Sequence, residues 1–218
     1  MSDRLIAIGD VHGCHAALRG LIAAIAPTPS DTLVFLGDYV DRGPESRAVV
    51  DLIIAVARRT RVVALMGNHE EMMLAVLAGE LDHTVWLKHG GLSTLDSYGF
   101  DGNLDFLPPS HKVFFDSMVD YFEDDDYFFT HASYDPDQPL DQQPSHDLRW
   151  HSLRDGVPTP HGSGKTAIVG HTANHDGDCI DFGHLICIDT YCYGGGCLTA
   201  LDVHRRAVWQ ANPDGTLR

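Results

Sequence analysis

Three times within its first seventy residues the chain runs a short apolar segment into a glycine followed by a side chain that can bind a hard cation. Residues 5–8 end at Gly9-Asp10, residues 32–36 at Gly37-Asp38 and residues 61–66 at Gly67-Asn68. Helical patterns separate them, with Leu18, Leu21, Ile22 and Ile25 on one face of the first and residues 49–56 forming the second. Strand, helix, strand, helix, strand at this spacing predicts α/β construction. In such sheets ligands gather just beyond the carboxyl ends of the strands, where all three polar loops fall.

Beyond Glu70 the pattern is mostly helical to about Ser117, broken by Gly90-Gly91, a turn at 99–102 and Pro108-Pro109. Strands return at 127–130, 167–169, 185–188, 198–203 and 207–210, and residues 135–144, rich in Pro, Asp and Gln, read as an exposed loop. No repeat or linker divides the chain, so its 218 residues are expected to form one domain, 1–218. The formal charge of −16 argues against nucleic acid as the main partner, because such binding draws on Lys and Arg. It still allows a phosphate held among metal ions. No apolar run approaches the length of a membrane span, and residues 1–5 lead into only four apolar positions, so no membrane partner and no leader are expected. Five cysteines without a C-x-x-C pair fit reduced thiols, which makes the cytoplasm the expected compartment. Cys187, Cys192 and Cys197 read as buried small hydrophobes.

The polar loops carry the chemistry. Asp10 and His12 can reach the same side of their loop, and Asp38 and Asp41 are spaced so that one binds metal while the other orients a neighbour. Arg42 offers a planar fork for two phosphate oxygens. Asn68 supplies an amide oxygen and His69 an imidazole; Asn68 and Glu70-Glu71 also read as the start of a helix. His131 and His171 each follow an apolar strand and can point from a sheet edge into the same site. Carboxylates, imidazoles and an amide suit borderline first-row dications better than Mg²⁺ or Ca²⁺. Two such ions about 3.5 to 4 Å apart generate a bridging hydroxide and clamp the attacked phosphoryl group, so the reaction class is metal-assisted hydrolysis of a phosphate ester.

With Gly9 to Gly13, Gly37 to Gly43, Gly67 to Glu70, His131 and Gly170-His171 in that order, the chain resembles the calcineurin-like metallophosphoesterases. Within them it is most similar to the phosphoprotein phosphatases, above all the small bacterial and phage Ser/Thr phosphatases. The resemblance implies a β-sandwich of mixed sheets flanked by helices. It makes Asp10, His12 and Asp38 ligands of one metal, and Asp38, Asn68, His131 and His171 ligands of the second. It implies that His69 protonates the leaving alkoxide while Asp41 holds its ring, and that Arg42 grips the phosphate, joined by Asn68. Mn²⁺ is the expected ion, with Fe or Zn as alternatives. The expected substrate is phosphoserine or phosphothreonine in proteins, or a small phosphate ester. A symmetrical dinucleoside tetraphosphatase is the alternative within the same chemistry, and a metal- or phosphate-binding scaffold without turnover is the alternative outside it.

Two departures from the family pattern bear on substrate. No Trp-x-Arg segment supplies a second phosphate-binding arginine; Leu148-Arg149-Trp150 and Arg154 offer Arg149, with Arg154 as the alternative. Where the family reads Ile-Asp-Thr-Gly, this chain has Ile188-Asp189-Thr190-Tyr191, with Tyr193 beyond it. Two other motifs are decoys. Gly162-Ser163-Gly164-Lys165-Thr166 lacks the first glycine of a P-loop, and residues 123–126 lack the ligand spacing of a calcium loop and read as a solvated turn.

Overall fold

The computed structural model describes residues 3–218. The strands are β1 (Leu5–Ile8), β2 (Thr32–Phe35), β3 (Arg61–Ala64), β4 (Tyr121–Glu123), β5 (Tyr127–Thr130), β6 (Thr166–Val169), β7 (Ile180–Asp181), β8 (Leu185–Cys187), β9 (Leu198–Asp202) and β10 (Ala207–Ala211). The helices are α1 (His15–Ile25), α2 (Ser46–Ala57), α3 (Asn68–Leu77), α4 (His83–Trp86), α5 (Leu92–Tyr98), α6 (Pro109–Asp116) and α7 (Ser145–Trp150). The sequence reading missed the short strands β4 and β7. β4 pairs with β5 across the acidic turn, where the Asp124 carboxylate accepts the N–H groups of Asp126 and Tyr127.

Two five-stranded mixed sheets result, ordered β10-β9-β1-β2-β3 and β4-β5-β6-β8-β7. β1, β2 and β3 run parallel, as do β5, β6 and β8. Side chains alternate between the faces of a strand. Ala7, Val34, Leu36, Phe129, Ile168 and Ile186 therefore meet in the core between the sheets. Their neighbours Ile6, Ile8, Leu33 and Phe35 pack beneath α1 and α2. Both faces of the central strands are covered, which is why those strands read as unbroken apolar runs. The arrangement is an α/β sandwich of mixed sheets flanked by helices, and it brings the carboxyl ends of both parallel sets to one edge. Among the described residues no helix is long and apolar enough to cross a membrane.

Candidate active site

Asp10 and His12 lie after β1, Asp38, Asp41 and Arg42 after β2, Asn68 and His69 at the start of α3, and His131 and His171 after β5 and β6. Five of them hold left-handed backbone: His12 (φ 44°), Asp38 (52°), Asp41 (70°), Arg42 (67°) and His171 (61°). Side chains rarely adopt this region, so the loops need support from outside. Glu70 provides much of it. Its buried carboxylate accepts the N–H groups of Asp38 (2.9 Å), Tyr39 (2.8 Å), Val40 (3.2 Å) and Gly67 (3.1 Å). Val11 and His12 donate to the Asp38 carbonyl at 3.1 and 2.8 Å, which ties the first loop to the second. The Asp10 carboxylate accepts the His171 N–H at 3.0 and 3.2 Å, joining the two sheets.

Asp38 sits at the centre. His12 Nε2 is 3.3 Å from its Oδ2, and His131 Nε2 is 3.4 Å from its Oδ1 and 3.2 Å from Asn68 Oδ1. Nδ1 of His12 lies 2.9 Å from the Val40 carbonyl, and Nδ1 of His131 lies 2.8 Å from that of Leu36. A carbonyl only accepts, so each neutral ring carries its proton on Nδ1 and turns its Nε2 lone pair toward Asp38. His171 packs edge-on against His131, its ring centroid 5.1 Å away.

Burial pushes the Asp10 and Asp38 carboxyls well above the usual carboxylate range and depresses His12 and His131 well below the usual imidazole range. It takes His171 down to about 4. Crowded acceptors with neutral imidazoles have only the Arg42 charge nearby as a positive neighbour, and a divalent cation supplies what is missing. One donor atom each from His12, Asp38 and His69 lies within 4.8 Å of the others, as does one each from Asp38, His131 and His171. The donor set therefore fits metal ions on either side of Asp38, and no cysteine belongs to either group. Asp10 stands outside these two sets but faces the same centre from His171.

His69 Nδ1 is 2.7 Å from Asp41 Oδ2. The Asp41 carboxylate also accepts the Trp86 indole N–H at 2.9 and 3.0 Å and the Thr94 hydroxyl at 2.7 Å. Burial raises Asp41 to about 7, against the pull of those two donors. Burial first, then the Arg42 cation, lowers His69 well below its usual range. Arg42 is exposed; one guanidinium nitrogen is 3.0 Å from His69 Nε2, and the group lies 4.4 Å over the Tyr193 ring. Gly90, at φ 106°, lets α5 and its lead-in press on this loop, its carbonyl accepting the Arg42 N–H at 3.3 Å. A Cβ there would come within 2.8 Å of the Arg42 nitrogen.

The structure does not bring Arg149 to this cluster. One guanidinium nitrogen is 3.2 Å from Glu71 and another pairs with Asp120. Arg154 donates to the Ala173 carbonyl at 2.7 Å, and its charge lowers both His171 and Asp189. Sequence reasoning missed Trp86, Thr94 and the clamp made by Glu70. It also assigned nothing to Asp189, a buried carboxyl beside Asp10 raised to about 6 by burial. Asp189 follows β8, so the strand-end rule that picked out the other candidate residues would have found it too.

The family model described as calcineurin-like phosphoesterase matches residues 3–201. Symmetrical bis(5'-nucleosyl)-tetraphosphatases of Burkholderia pseudomallei (strain 668) and Burkholderia thailandensis are 47% identical over 74 residues, 34% of this chain and 26% of theirs. The match thus spans about a quarter of the length of these curated relatives. Among solved structures, a provisionally named diadenosine tetraphosphatase superposes with a TM-score of 0.73 at 22% identity, covering 97% of this chain and 94% of that one. A protein serine/threonine phosphatase from Saccharomyces cerevisiae gives 0.64 at 18%, covering 93% and 73%. A cold-active protein-tyrosine phosphatase from a Shewanella species gives 0.64 at 17%, covering 100% and 82%. At these identities the structures bear on the fold alone.

Proposed function

Because the chain belongs to the calcineurin-like phosphoesterase family, we propose that it is a two-metal hydrolase of phosphate esters, with phosphoserine or phosphothreonine in proteins as its first substrate class. The observation that carries the reading is the convergence of His12 Nε2 and His131 Nε2, each ring held at Nδ1 by a main-chain carbonyl, on the side-chain oxygens of Asp38 and Asn68. On this reading Asp10, His12 and Asp38 hold one cation, and Asp38, Asn68, His131 and His171 hold the other. Bound there, two divalent ions supply an activated water as nucleophile and neutralise phosphoryl charge; Mn²⁺ is the proposed pair, with Fe or Zn as alternatives.

The chain's own residues do the rest. Arg42, exposed above the cluster, engages the phosphate, and in doing so withdraws from His69 Nε2. The Nε2 so released takes up a proton from solvent and hands it to the leaving oxygen, which returns the ring to its neutral form with the Nδ1 proton still on the ring. Asp41 holds the ring through Nδ1 and stabilises its protonated form. The reading favours Arg154 over Arg149 as the second arginine, since Arg149 is committed to Glu71 and Asp120.

A second reading, hydrolysis of a symmetrical dinucleoside tetraphosphate, is favoured by the names of the relatives that match 74 residues of this chain and by that of a structural neighbour. The test is turnover of a phosphoserine peptide, a phosphotyrosine peptide, p-nitrophenyl phosphate and diadenosine tetraphosphate side by side with added Mn²⁺. Release of phosphate from the phosphoserine peptide ahead of the others supports the first reading, and cleavage of the tetraphosphate ahead of the others supports the second. If none turns over while two metals bind, the protein is a scaffold and the hydrolase reading is wrong.

A further inference from the structure

Tyr191 is the one residue of the site's surroundings whose backbone conformation is hard to explain by the chemistry above. It stands at φ 62° and ψ 43°, a left-handed conformation that bulky side chains avoid. Glycine would occupy it without strain. The position is nevertheless fixed, with the Tyr191 N–H donating to Asp189 Oδ1 at 3.0 Å and its carbonyl accepting from Gly194 and Gly196. Core packing does not account for the ring, because Tyr191 is only half-buried and its stacking partner, His175, is exposed. The two rings lie 4.0 Å apart at 24°. Gly194 leaves the ring its slot, since a Cβ there would fall 2.0 Å from the Tyr191 ring atoms.

The stack is also connected to the site. Tyr191 meets Tyr193 edge to face at 4.8 Å, and Tyr193 in turn meets His12 at 4.8 Å and lies under the Arg42 guanidinium. A line of rings therefore leads from a proposed metal ligand, past the proposed phosphate clamp, to the surface. His175 belongs to the loop that carries His171, and Tyr191 to the segment that carries Asp189, so both are anchored to the same strand ends. Strain retained at the margin of a functional site is a sign of use.

We propose that Tyr191 and His175 form a stacking shelf for a planar ring in the organic part of the phosphate ester, either a nucleobase or a phenyl ring, while the phosphate sits at Arg42. The proposal rests on the phosphate-ester reading of the site. Within that reading it selects esters that carry a ring, such as the dinucleoside tetraphosphate or an aryl phosphate, over phosphoserine and phosphothreonine, which carry none.

The test is calorimetric binding of adenosine monophosphate, phenyl phosphate and ribose 5-phosphate to the Mn²⁺-loaded protein, in the wild type, Tyr191→Gly and His175→Ala. Stacking on an aromatic side chain is worth enough to give roughly a tenfold preference. The wild type is expected to bind at least one planar phosphate about tenfold more tightly than ribose 5-phosphate. Each variant is expected to bring that ratio within about twofold while ribose 5-phosphate affinity stays the same. Preference for adenosine monophosphate identifies a nucleobase, and preference for phenyl phosphate a phenyl ring. Tyr191→Gly suits the backbone, so its fold is expected to persist, and a thermal melt at or above the wild type's checks this. Equal affinity for planar and non-planar phosphates, uniform weakening of all three in the variants, or no binding at all overturns the shelf. A ring preference that the variants abolish, in a protein that turns over no phosphate ester, supports the shelf and overturns the hydrolase reading. Turnover without ring preference overturns the shelf alone.

Discussion

Replacing Glu70 by glutamine tests whether the central loop is held from outside. Oε1 of Glu70 receives the N–H groups of Tyr39 and Val40, and Oε2 those of Asp38 and Gly67, all buried and all between 2.8 and 3.2 Å. An amide of the same shape keeps one oxygen and turns an NH₂ group onto two donors. Two hydrogen bonds to a carboxylate are lost, at about 1.5 to 3 kcal/mol each, and two buried N–H groups are left without acceptors. Allowing for relaxation of the loop, Glu70→Gln is expected to cost about 3 to 4 kcal/mol. In a chain of this size that lowers Tm by roughly 10 °C. Urea unfolding of the metal-free protein should show the midpoint falling with an unchanged slope, since the native surface is the same. Where the NH₂ takes the Oε2 position, the Asp38 N–H is one of the orphans and metal affinity should also weaken. A loss below about 1 kcal/mol would refute the reasoning. It would mean that the main-chain bonds from Val11, His12 and Gly13 to the Asp38 and Tyr39 carbonyls hold these left-handed residues unaided.

Trp86→Phe keeps an aromatic side chain, though a smaller one, but removes the N–H that Asp41 accepts, and is expected to lower kcat about tenfold with metal content intact, as loss of one hydrogen bond to a charged group implies; an unchanged kcat would leave Thr94 and His69 as sufficient supports. His69→Asn should lower kcat by roughly 10² to 10⁴ and retain metal, whereas Asp38→Asn should lose both. Metal analysis beside turnover decides this, and equal metal loss in the two variants would remove His69 from the acid role. Far from the site, Arg4 donates to Asp31 from Nε at 3.0 Å and from a terminal nitrogen at 2.6 Å, and Thr28 adds two more donors, so Asp31 is held well below the usual carboxylate range. A depressed carboxylate stabilises above its unfolded pKa, near 4, and that stability is lost as pH falls through lower values. Asp31→Asn is expected to cost about 2 kcal/mol at pH 7, and its deficit in urea melts should shrink below about pH 4; a pH-independent deficit would assign the loss to packing.

What the sequence makes legible here follows from distance along the chain. Each of these strands and the proposed ligand beyond it lie within a few residues of one another, so Asp10, Asp38, Asn68, His131 and His171 could be picked out before any tertiary contact was known. Convergence of the two sheets was legible only through the family resemblance, because no local pattern tells β3 and β5 that their ends meet. The supports of Asp41 had no such route. Trp86 and Thr94 reach it from 45 and 53 residues away, from a helical stretch whose periodicity announces only an apolar face. The same stretch contains Gly90, which the sequence marks as a helix break and the structure uses to seat a carbonyl on the Arg42 N–H. Arg149 teaches the converse, since a guanidinium next to a tryptophan in the right region is drawn to Glu71 and Asp120, acidic neighbours that spacing alone does not reveal. The proposed ligands are written into strand ends because the backbone aims them. The residues that support the loops around them are chosen by packing between distant segments, and for that reason Glu70 and Trp86 are where substitution tests the site most directly.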